Sequence, residues 1–167
     1  MTMVLVGLTS FAALLASDSF GTIGLINGVL QLALFGVVAC LPAWKTGRLS
    51  YVDIAWPWGL ALIGALTLFL GDGYWQRKAM VGGVYLLVGL RMGLGALVLL
   101  KKGYLDRELP RYQYRRLKWK EEGVTRIGWE TQVEILKQCI ANLSFSAMPA
   151  LVMAFNPRDT LSLLELL

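Results

Sequence analysis

The stretch FGTIGLINGVLQLALFGVVACL, residues 20–41, decides the fold class because it contains no charged side chain. A helix of about 20 apolar residues crosses the hydrocarbon core of a bilayer. In a water-soluble domain the same helix would be apolar on all sides and would have no polar face for the solvent. Trp44, Lys45 and Arg48 follow it, and tryptophan beside basic residues is typical of a membrane–water boundary. We therefore predict that residues 20–41 span a membrane.

Three further stretches have the length and composition of membrane spans. They cover residues 54–70, 79–100 and 138–155, and Arg91 is the one charged residue inside them. The composition agrees, since 56% of the 167 residues are hydrophobic, only 16% are charged, and the mean hydropathy is +0.59. The sequence thus predicts an all-α, polytopic transmembrane helix bundle of about four spans, with a possible N-terminal membrane helix and an amphipathic interfacial helix in addition.

The segment before the first span, residues 1–19, is also apolar. Lys45 is the first basic residue of the chain, so this segment lacks the positively charged start of a secretory signal peptide. A tilted or interfacial helix and a short fifth span are both open, and we expect a membrane-embedded helix that stays in the mature protein. The remaining chain divides into three spans in residues 20–100, a basic segment in residues 101–137, and the fourth span with a tail in residues 138–167.

The basic residues predict the orientation of the chain. Residues 42–53 and 101–137 fall on the same side of the four-span layout, with two and ten Lys or Arg side chains. The opposite loop, residues 71–78, contains only two. The positive-inside rule therefore puts the basic side in the cytosol or its topological equivalent, such as the stroma or matrix.

Some kinds of chemistry are excluded or disfavoured by residue type. The chain contains no histidine, which excludes histidine-ligated metals and a histidine general base. Cys40 and Cys139 each lie in an apolar stretch, and they are interpreted as small buried hydrophobic residues rather than a disulfide. No metal site is expected.

The segment SYVDIAWPW, residues 50–58, is the first candidate site. Its structural interpretation makes Ser50 or Asp53 a helix N-cap, places Pro57 in the first turn, and makes the two tryptophans interface anchors. Its functional interpretation makes Asp53 a buried acceptor for an arginine, a hydroxyl or a ribose. Both interpretations stay open.

Arg91 is the second candidate because a charge at mid-depth costs several kcal/mol unless it is paired or hydrated. Such an arginine usually faces the interior of the helix bundle. The structural interpretation is an ion pair or a clamp onto helix carbonyls, and the functional one is a polar cavity for a substrate or cofactor headgroup. The two are equally compatible with the sequence, and either one requires a partner for Arg91.

The segment KKGYLDRELPRYQYRRLKWKEEGVTR, residues 101–126, is the third candidate. Pro110 is expected to open a helix at its first position. Tyr112, Arg116 and Trp119 recur at helical spacing, which predicts an aromatic-containing face that lies on the membrane surface. The alternative is a phosphate-binding surface of arginines and tyrosines. Nucleic acid is not expected as a partner, since these basic residues alternate with aromatics and are tethered between two spans.

Together the three places resemble a known family, the steroid 5α-reductase-like membrane reductases, in their bacterial-type branch. The resemblance covers roughly residues 45–155. It rests on the following residues: Ser50, Asp53 and Trp56; then Leu90, Arg91, Met92 and Gly93; then Pro110, Arg111, Tyr112, Arg115 and Arg116.

The resemblance implies a membrane enzyme that takes hydride from NADPH and reduces an activated carbon–carbon double bond in a lipid-like or steroid-like substrate. This chain matches only the N-terminal half of that family, whose cofactor is held largely by further spans and a motif with histidine. A half-site is not expected to orient a nicotinamide for hydride transfer. The cofactor-binding candidates that the resemblance implies are Asp53, Trp56, Arg91, Arg111, Tyr112 and Arg115.

Three functions follow from these observations. We favour a non-catalytic accessory subunit of a larger membrane complex, with no cofactor of its own. The first alternative is a fragment of an NADPH-dependent reductase, and the second is a module that binds anionic lipids. Membrane lipids and other membrane subunits are the expected partners, and no catalytic residue is assigned. The lipid-headgroup candidates are Arg111, Arg115, Arg116, Lys118 and Trp119.

Overall fold

A computed structural model of the protein describes residues 2–16, 21–71 and 74–149, and every regular element within these ranges is helical. The helices are α1 (Thr2–Leu15), α2 (Gly21–Phe35), a π-helical stretch (Gly36–Cys40), α3 (Leu41–Thr46), α4 (Val52–Leu70), α5 (Trp75–Lys101), α6 (Pro110–Glu121) and α7 (Ile127–Ser144). The predicted all-α helix bundle is confirmed.

Three helices in the described ranges are long and apolar enough to cross a membrane. They are the continuous helix Gly21–Thr46, which comprises α2, the π-helical stretch and α3, and the helices α4 and α5. These three correspond to the first three predicted spans, and they identify the chain as an integral membrane protein. The helix α1 is apolar but shorter, and it packs against α2 and α7.

The first span continues past Pro42, where the sequence predicted its end. Proline normally disrupts a helix because it lacks an amide proton and clashes with the carbonyl four residues earlier. Here the wider π-helical turn precedes Pro42, and the Leu41 amide donates to the Gly36 carbonyl five residues before it. The helix ends at Gly47, whose φ of 71° is left-handed and whose amide donates to the Ala43 carbonyl over 2.7 Å.

The predicted fourth span, residues 138–155, is not among the described helices that are long and apolar enough to cross a membrane. The helix α7 begins at Ile127, within the segment assigned to the basic loop, and ends at Ser144. The chain turns at residues 145–146, and the part of the prediction from residue 150 onward lies outside the described residues. Glu130, Glu134 and Lys137 all lie in the part of α7 before residue 138, so the part of the helix outside the predicted span is polar.

The helices α4 and α5 form the closest helix pair, and glycines determine how closely they approach. A Cβ atom on Gly89 would lie 2.7 Å from the Pro57 carbonyl oxygen and 2.8 Å from the Ala61 Cα. A Cβ on Gly64 would lie 2.7 Å from the Gly82 carbonyl oxygen. Small residues at such crossings let backbones pack directly, which is how membrane helices associate without a hydrophobic effect between them.

A second buried cluster lies where the π-helical stretch, the start of α4, α6 and α7 meet. Its buried members are Phe35, Ala39, Ala43, Leu49, Val52, Ala55, Trp119, Ile135 and Cys139. Trp119 brings α6 into this core, so the basic segment is packed onto the helix bundle and is part of the fold.

Replacing Gly89 by leucine tests the α4–α5 contact. We expect G89L to lower the unfolding free energy by about 1–3 kcal/mol, because overpacking forces the two backbones apart. The measurement is thermal unfolding of the purified protein in detergent. G95L on the same helix is the matched control, since a Cβ on Gly95 meets nothing within 4 Å. Equal melting temperatures for the two variants would contradict the described crossing.

Candidate functional site at the start of the second span

The site is assembled around the turn that leads into α4. No side chain in the described part of the chain caps this helix, so the expected N-cap role of Ser50 or Asp53 is wrong. The residue at the N-cap position is Tyr51, and Pro57 is the sixth residue of α4 rather than part of its first turn. Ser50 and Asp53 instead bind residues of the α5–α6 connection and of α6, far along the chain.

Glu108 joins the α5–α6 connection to this turn. Its carboxylate accepts hydrogen bonds from the Leu49 amide (2.8 Å), the Ser50 amide (3.0 Å) and the Ser50 hydroxyl (2.5 Å). The Ser50 hydroxyl oxygen in turn accepts from the Leu109 amide over 3.1 Å. The Nε atom of Arg116 lies 3.5 Å from the same carboxylate, at an ion-pair distance but without hydrogen-bond alignment. The carboxylate therefore satisfies donors that no helical partner reaches.

Asp53 lies next to this junction and binds two consecutive residues of α6. Its Oδ1 atom accepts a hydrogen bond from the Tyr112 hydroxyl over 2.7 Å and forms an ion pair with the Arg111 guanidinium. The guanidinium also lies 4.8 Å from the centre of the Tyr112 ring. Burial and the hydrogen bond to Asp53 raise the pKa of the Tyr112 phenol far above its ordinary value. Tyr112 therefore stays a neutral donor at physiological pH.

A third group of contacts connects α6 to α7 and α4. The Arg115 guanidinium donates to Glu134 over 2.7 Å, and the side chain of Glu134 is only 6% exposed. Glu134 accepts from the Gln138 amide over 3.2 Å, and Gln138 accepts from the Trp56 indole over 3.0 Å. Asn142 donates to the Trp56 carbonyl over 2.9 Å. These polar contacts form a continuous chain from α6 to the start of the second span.

The structure brings together five of the six cofactor-binding candidates. Asp53, Arg111 and Tyr112 touch one another, and Arg115 and Trp56 belong to the neighbouring chain of contacts. Arg91 is the exception, because it lies on an exposed face of α5 and has no ion pair or hydrogen bond within the described ranges. The expectation that Arg91 faces the interior of the bundle is not met within the described residues.

The helix α6 begins at Pro110, as predicted, but its orientation differs from the prediction. Tyr112, Arg116 and Trp119 do share a face, and this face packs against the protein rather than against the membrane surface. Trp119 is only 8% exposed, so its side chain is not accessible to a lipid headgroup. Lys118 is exposed, and its one ion pair among the described residues is a long contact of 3.8 Å with Glu122.

Sequence reasoning missed four polar residues of the site, Glu108 before α6 and three residues on α7. Glu134, Gln138 and Asn142 recur every four residues, so they form a stripe on one face of the helix. The four-residue spacing can be recognised in the sequence, and it predicts a polar face of α7 that contacts another helix. Thr131 and Cys139 on the same helix are buried, and Thr131 donates to the Ile127 carbonyl.

The site contains acids, bases and amides but no group of metal ligands. Among the residues that the structure describes, no three histidine, cysteine, aspartate or glutamate side chains lie close enough to hold a metal. An open groove of about 410 Å³ runs along α6 beside the Asp53 contacts. Its lining residues are Arg111, Tyr114, Arg115, Lys118, Trp119 and Glu122. Guanidinium and ammonium groups in such a groove are suited to phosphate oxygens.

Comparison of the chain with protein-family models, with curated proteins and with solved structures found no match in any of the three.

Glu108 provides the test of this arrangement. We expect E108Q to lower the unfolding free energy by about 2 kcal/mol, because the buried hydrogen bonds to its carboxylate lose their charge. We also expect trypsin to cleave residues 101–126 faster, since the connection to α4 is loosened. Thermal unfolding in detergent and timed digestion measure the two effects. E122Q is the control, because Glu122 forms an exposed contact of little energetic value. If E108Q were as stable and as resistant to trypsin as E122Q, the described role of Glu108 in holding the α5–α6 connection to the turn before α4 would be wrong.

Proposed function

We propose that this chain is a non-catalytic accessory subunit of a larger membrane assembly and that α5 is its contact helix. The observation that carries the proposal is the position of Arg91. It lies on the exposed face of a membrane span and has no partner among the described residues.

The depth of Arg91 makes this position costly in a lipid environment. The span runs from Trp75 to Lys101, so Arg91 lies ten residues, or about 15 Å, from its basic end. Arginine that faces lipid at mid-depth costs several kcal/mol unless a partner or water reaches it. A carboxylate on a neighbouring helix would remove most of this cost by forming a bidentate ion pair.

The residues around Arg91 form a contact seam with the spacing of packed helices. Six of the exposed residues of α5 lie on one stripe, at spacings of four, three, four, three and four positions, and Arg91 lies near its middle. The seam consists of Met80, Val84, Leu87, Arg91, Leu94 and Val98. Leu87 is 73% exposed and Val84 is 59% exposed. Alternating spacing of three and four is the pattern by which one helix packs along another.

The seam lies on the side of α5 opposite α4. The glycines that contact α4, Gly89 and Gly93, are each two positions from Arg91, which is about half a turn. The described neighbour of α5 therefore leaves the seam uncovered.

A second copy of this chain is a poor occupant of the seam. Copies in one membrane share one orientation, so a two-fold symmetric pair would place each Arg91 at the depth of the other. Two like charges close together in a medium of low dielectric repel each other. The partner we propose is therefore a transmembrane helix of a different subunit, with an aspartate or glutamate at mid-depth.

Site-specific crosslinking in the native membrane tests the proposal. A photoreactive amino acid at Leu87 or Leu94 is expected to capture a second, different polypeptide. R91L is expected to reduce that adduct at least fivefold, while its own folding is kept because leucine is apolar and favours helices. The control places the same photoreactive amino acid at Leu25 on α2, which is 59% exposed. We expect R91L to leave the amount of adduct formed at position 25 unchanged. Adducts only within the chain or only between identical copies would overturn the proposal.

A second function, a fragment of an NADPH-dependent membrane reductase, is supported by one specific observation. Asp53, Arg111 and Tyr112 contact one another beside an open basic groove. A carboxylate, a guanidinium and a phenol at one place can contact the ribose and phosphates of a dinucleotide. The resemblance of these residues to the reductase family points in the same direction.

NADPH fluorescence separates this second function from the first. If the groove holds the cofactor, purified protein shifts NADPH emission in a saturable way, and R111Q weakens binding about tenfold, since a charged hydrogen-bond partner is lost. K120Q removes an exposed positive charge from the same helix and should change the affinity less than twofold. No fluorescence response at millimolar NADPH would exclude the cofactor-binding reading for this chain.

A further inference from the structure

The basic residues of the 101–126 segment fall into two classes in the structure. Arg111, Arg115 and Arg116 each form an ion pair with a carboxylate of the same chain. The second class is exposed and forms no ion pair or hydrogen bond through its side chains within the described part of the chain; it consists of Lys101, Lys102, Arg107, Lys120 and Arg126. Their positive charges are therefore available to a ligand, whereas those of the three arginines are largely compensated.

Lys102 and Arg107 of this second class line one concave surface. It has a volume of about 430 Å³ and lies between the end of α5 and the start of α6. Lys102, Tyr104, Arg107 and Gln113 belong to its lining, together with Glu108. Glu108 does not neutralise the two cations, because its carboxylate is already bound to the Leu49–Ser50 turn and Arg116.

The backbone holds this surface in a defined shape. Gly103 adopts a left-handed φ of 75°, which reverses the chain directly after α5. The Tyr104 amide donates to the Leu99 carbonyl over 3.0 Å, and Leu105 is buried at 4% exposure. The Arg48 guanidinium donates to the Leu105 carbonyl over 2.6 Å. The two cations are thus presented by a turn that is tied to the helix bundle.

The position of the surface identifies its ligand class. It begins at the residue that follows Lys101, the last residue of a membrane span, so it lies at the level of the lipid headgroups. Tyr104 is 65% exposed there, and exposed tyrosine beside lysine is typical of the interface. Anionic lipids attract basic residues next to a span.

We propose that this surface binds the phosphate headgroup of an anionic membrane lipid through Lys102 and Arg107. The ammonium group of Lys102 and the guanidinium of Arg107 contact the phosphate oxygens, and the Tyr104 ring lies among the headgroups. This site is independent of the α5 seam, because it lies beyond the end of the span. It also differs from the lipid-headgroup residues expected from the sequence.

Counting bound lipids tests the site. The full chain in detergent is titrated with short-chain phosphatidylglycerol, and bound lipid is counted by native mass spectrometry. Phosphatidylcholine of the same chain length is the neutral control. We expect one phosphatidylglycerol to bind in preference, and K102Q/R107Q to weaken its binding about tenfold or more. K118Q/K120Q removes the same charge from exposed positions on α6 and should weaken binding less than twofold.

The outcomes separate a specific site from general attraction and from a soluble ligand. Equal losses in the two double variants would mean that only net charge matters, which would overturn the site. Equal binding of phosphatidylglycerol and phosphatidylcholine would also overturn it. If millimolar inorganic phosphate displaced the lipid completely, the ligand would be a soluble phosphate and the lipid assignment would be wrong. Both double variants should keep the melting temperature of the parent, since none of the four side chains is buried.

Discussion

The carboxylate of Glu108 makes the contact on which the arrangement at the membrane surface depends. It accepts from two backbone amides and a hydroxyl at the turn before α4, and these donors have no partner in a helix. Leaving such groups buried and unpaired would cost about 1–3 kcal/mol each. Because Glu108 lies just before α6, satisfying the turn also fixes where α6 begins. The pairs of Asp53 with Arg111 and Tyr112, and of Glu134 with Arg115, follow from that placement.

The helices of the bundle pack against one another in two different ways. The helices α4 and α5 approach through glycines, where dispersion between backbones replaces the missing hydrophobic effect. The contacts of α4 with α2 and α7 instead use amide side chains. Gln31 donates to the Gly59 carbonyl over 2.9 Å, and Asn142 donates to the Trp56 carbonyl. Both amides are fully buried, so these bonds fix the relative positions of the helices.

The basic residues differ in whether they form an ion pair within the chain. The paired ones stabilise the fold, and the unpaired ones are available to bind an external anion. The arginines that sequence reasoning singled out, Arg111, Arg115 and Arg116, hold α6 to carboxylates of the bundle. Arg91, Lys102 and Arg107 lack such partners among the described residues, and the proposals for a subunit and a lipid rest on them. An arginine in a pair has lost much of its attraction for another anion, whereas an unpaired one at the membrane retains it.

Sequence alone determined the all-helical membrane class and the first three spans, because long uncharged runs of residues depend only on local composition. It also determined that α6 starts at Pro110, because proline is favoured at the first position of a helix. Asp53, Arg111 and Tyr112 were named among six cofactor-binding candidates, and they contact one another in the structure. Their role in cofactor binding stays a prediction. Only the tertiary structure decided that the face of Tyr112, Arg116 and Trp119 turns inward, since an aromatic face with charges suits both a membrane surface and a protein core. The same holds for Glu108 and Glu134, whose partners lie 59 and 19 residues away and are brought near only by folding.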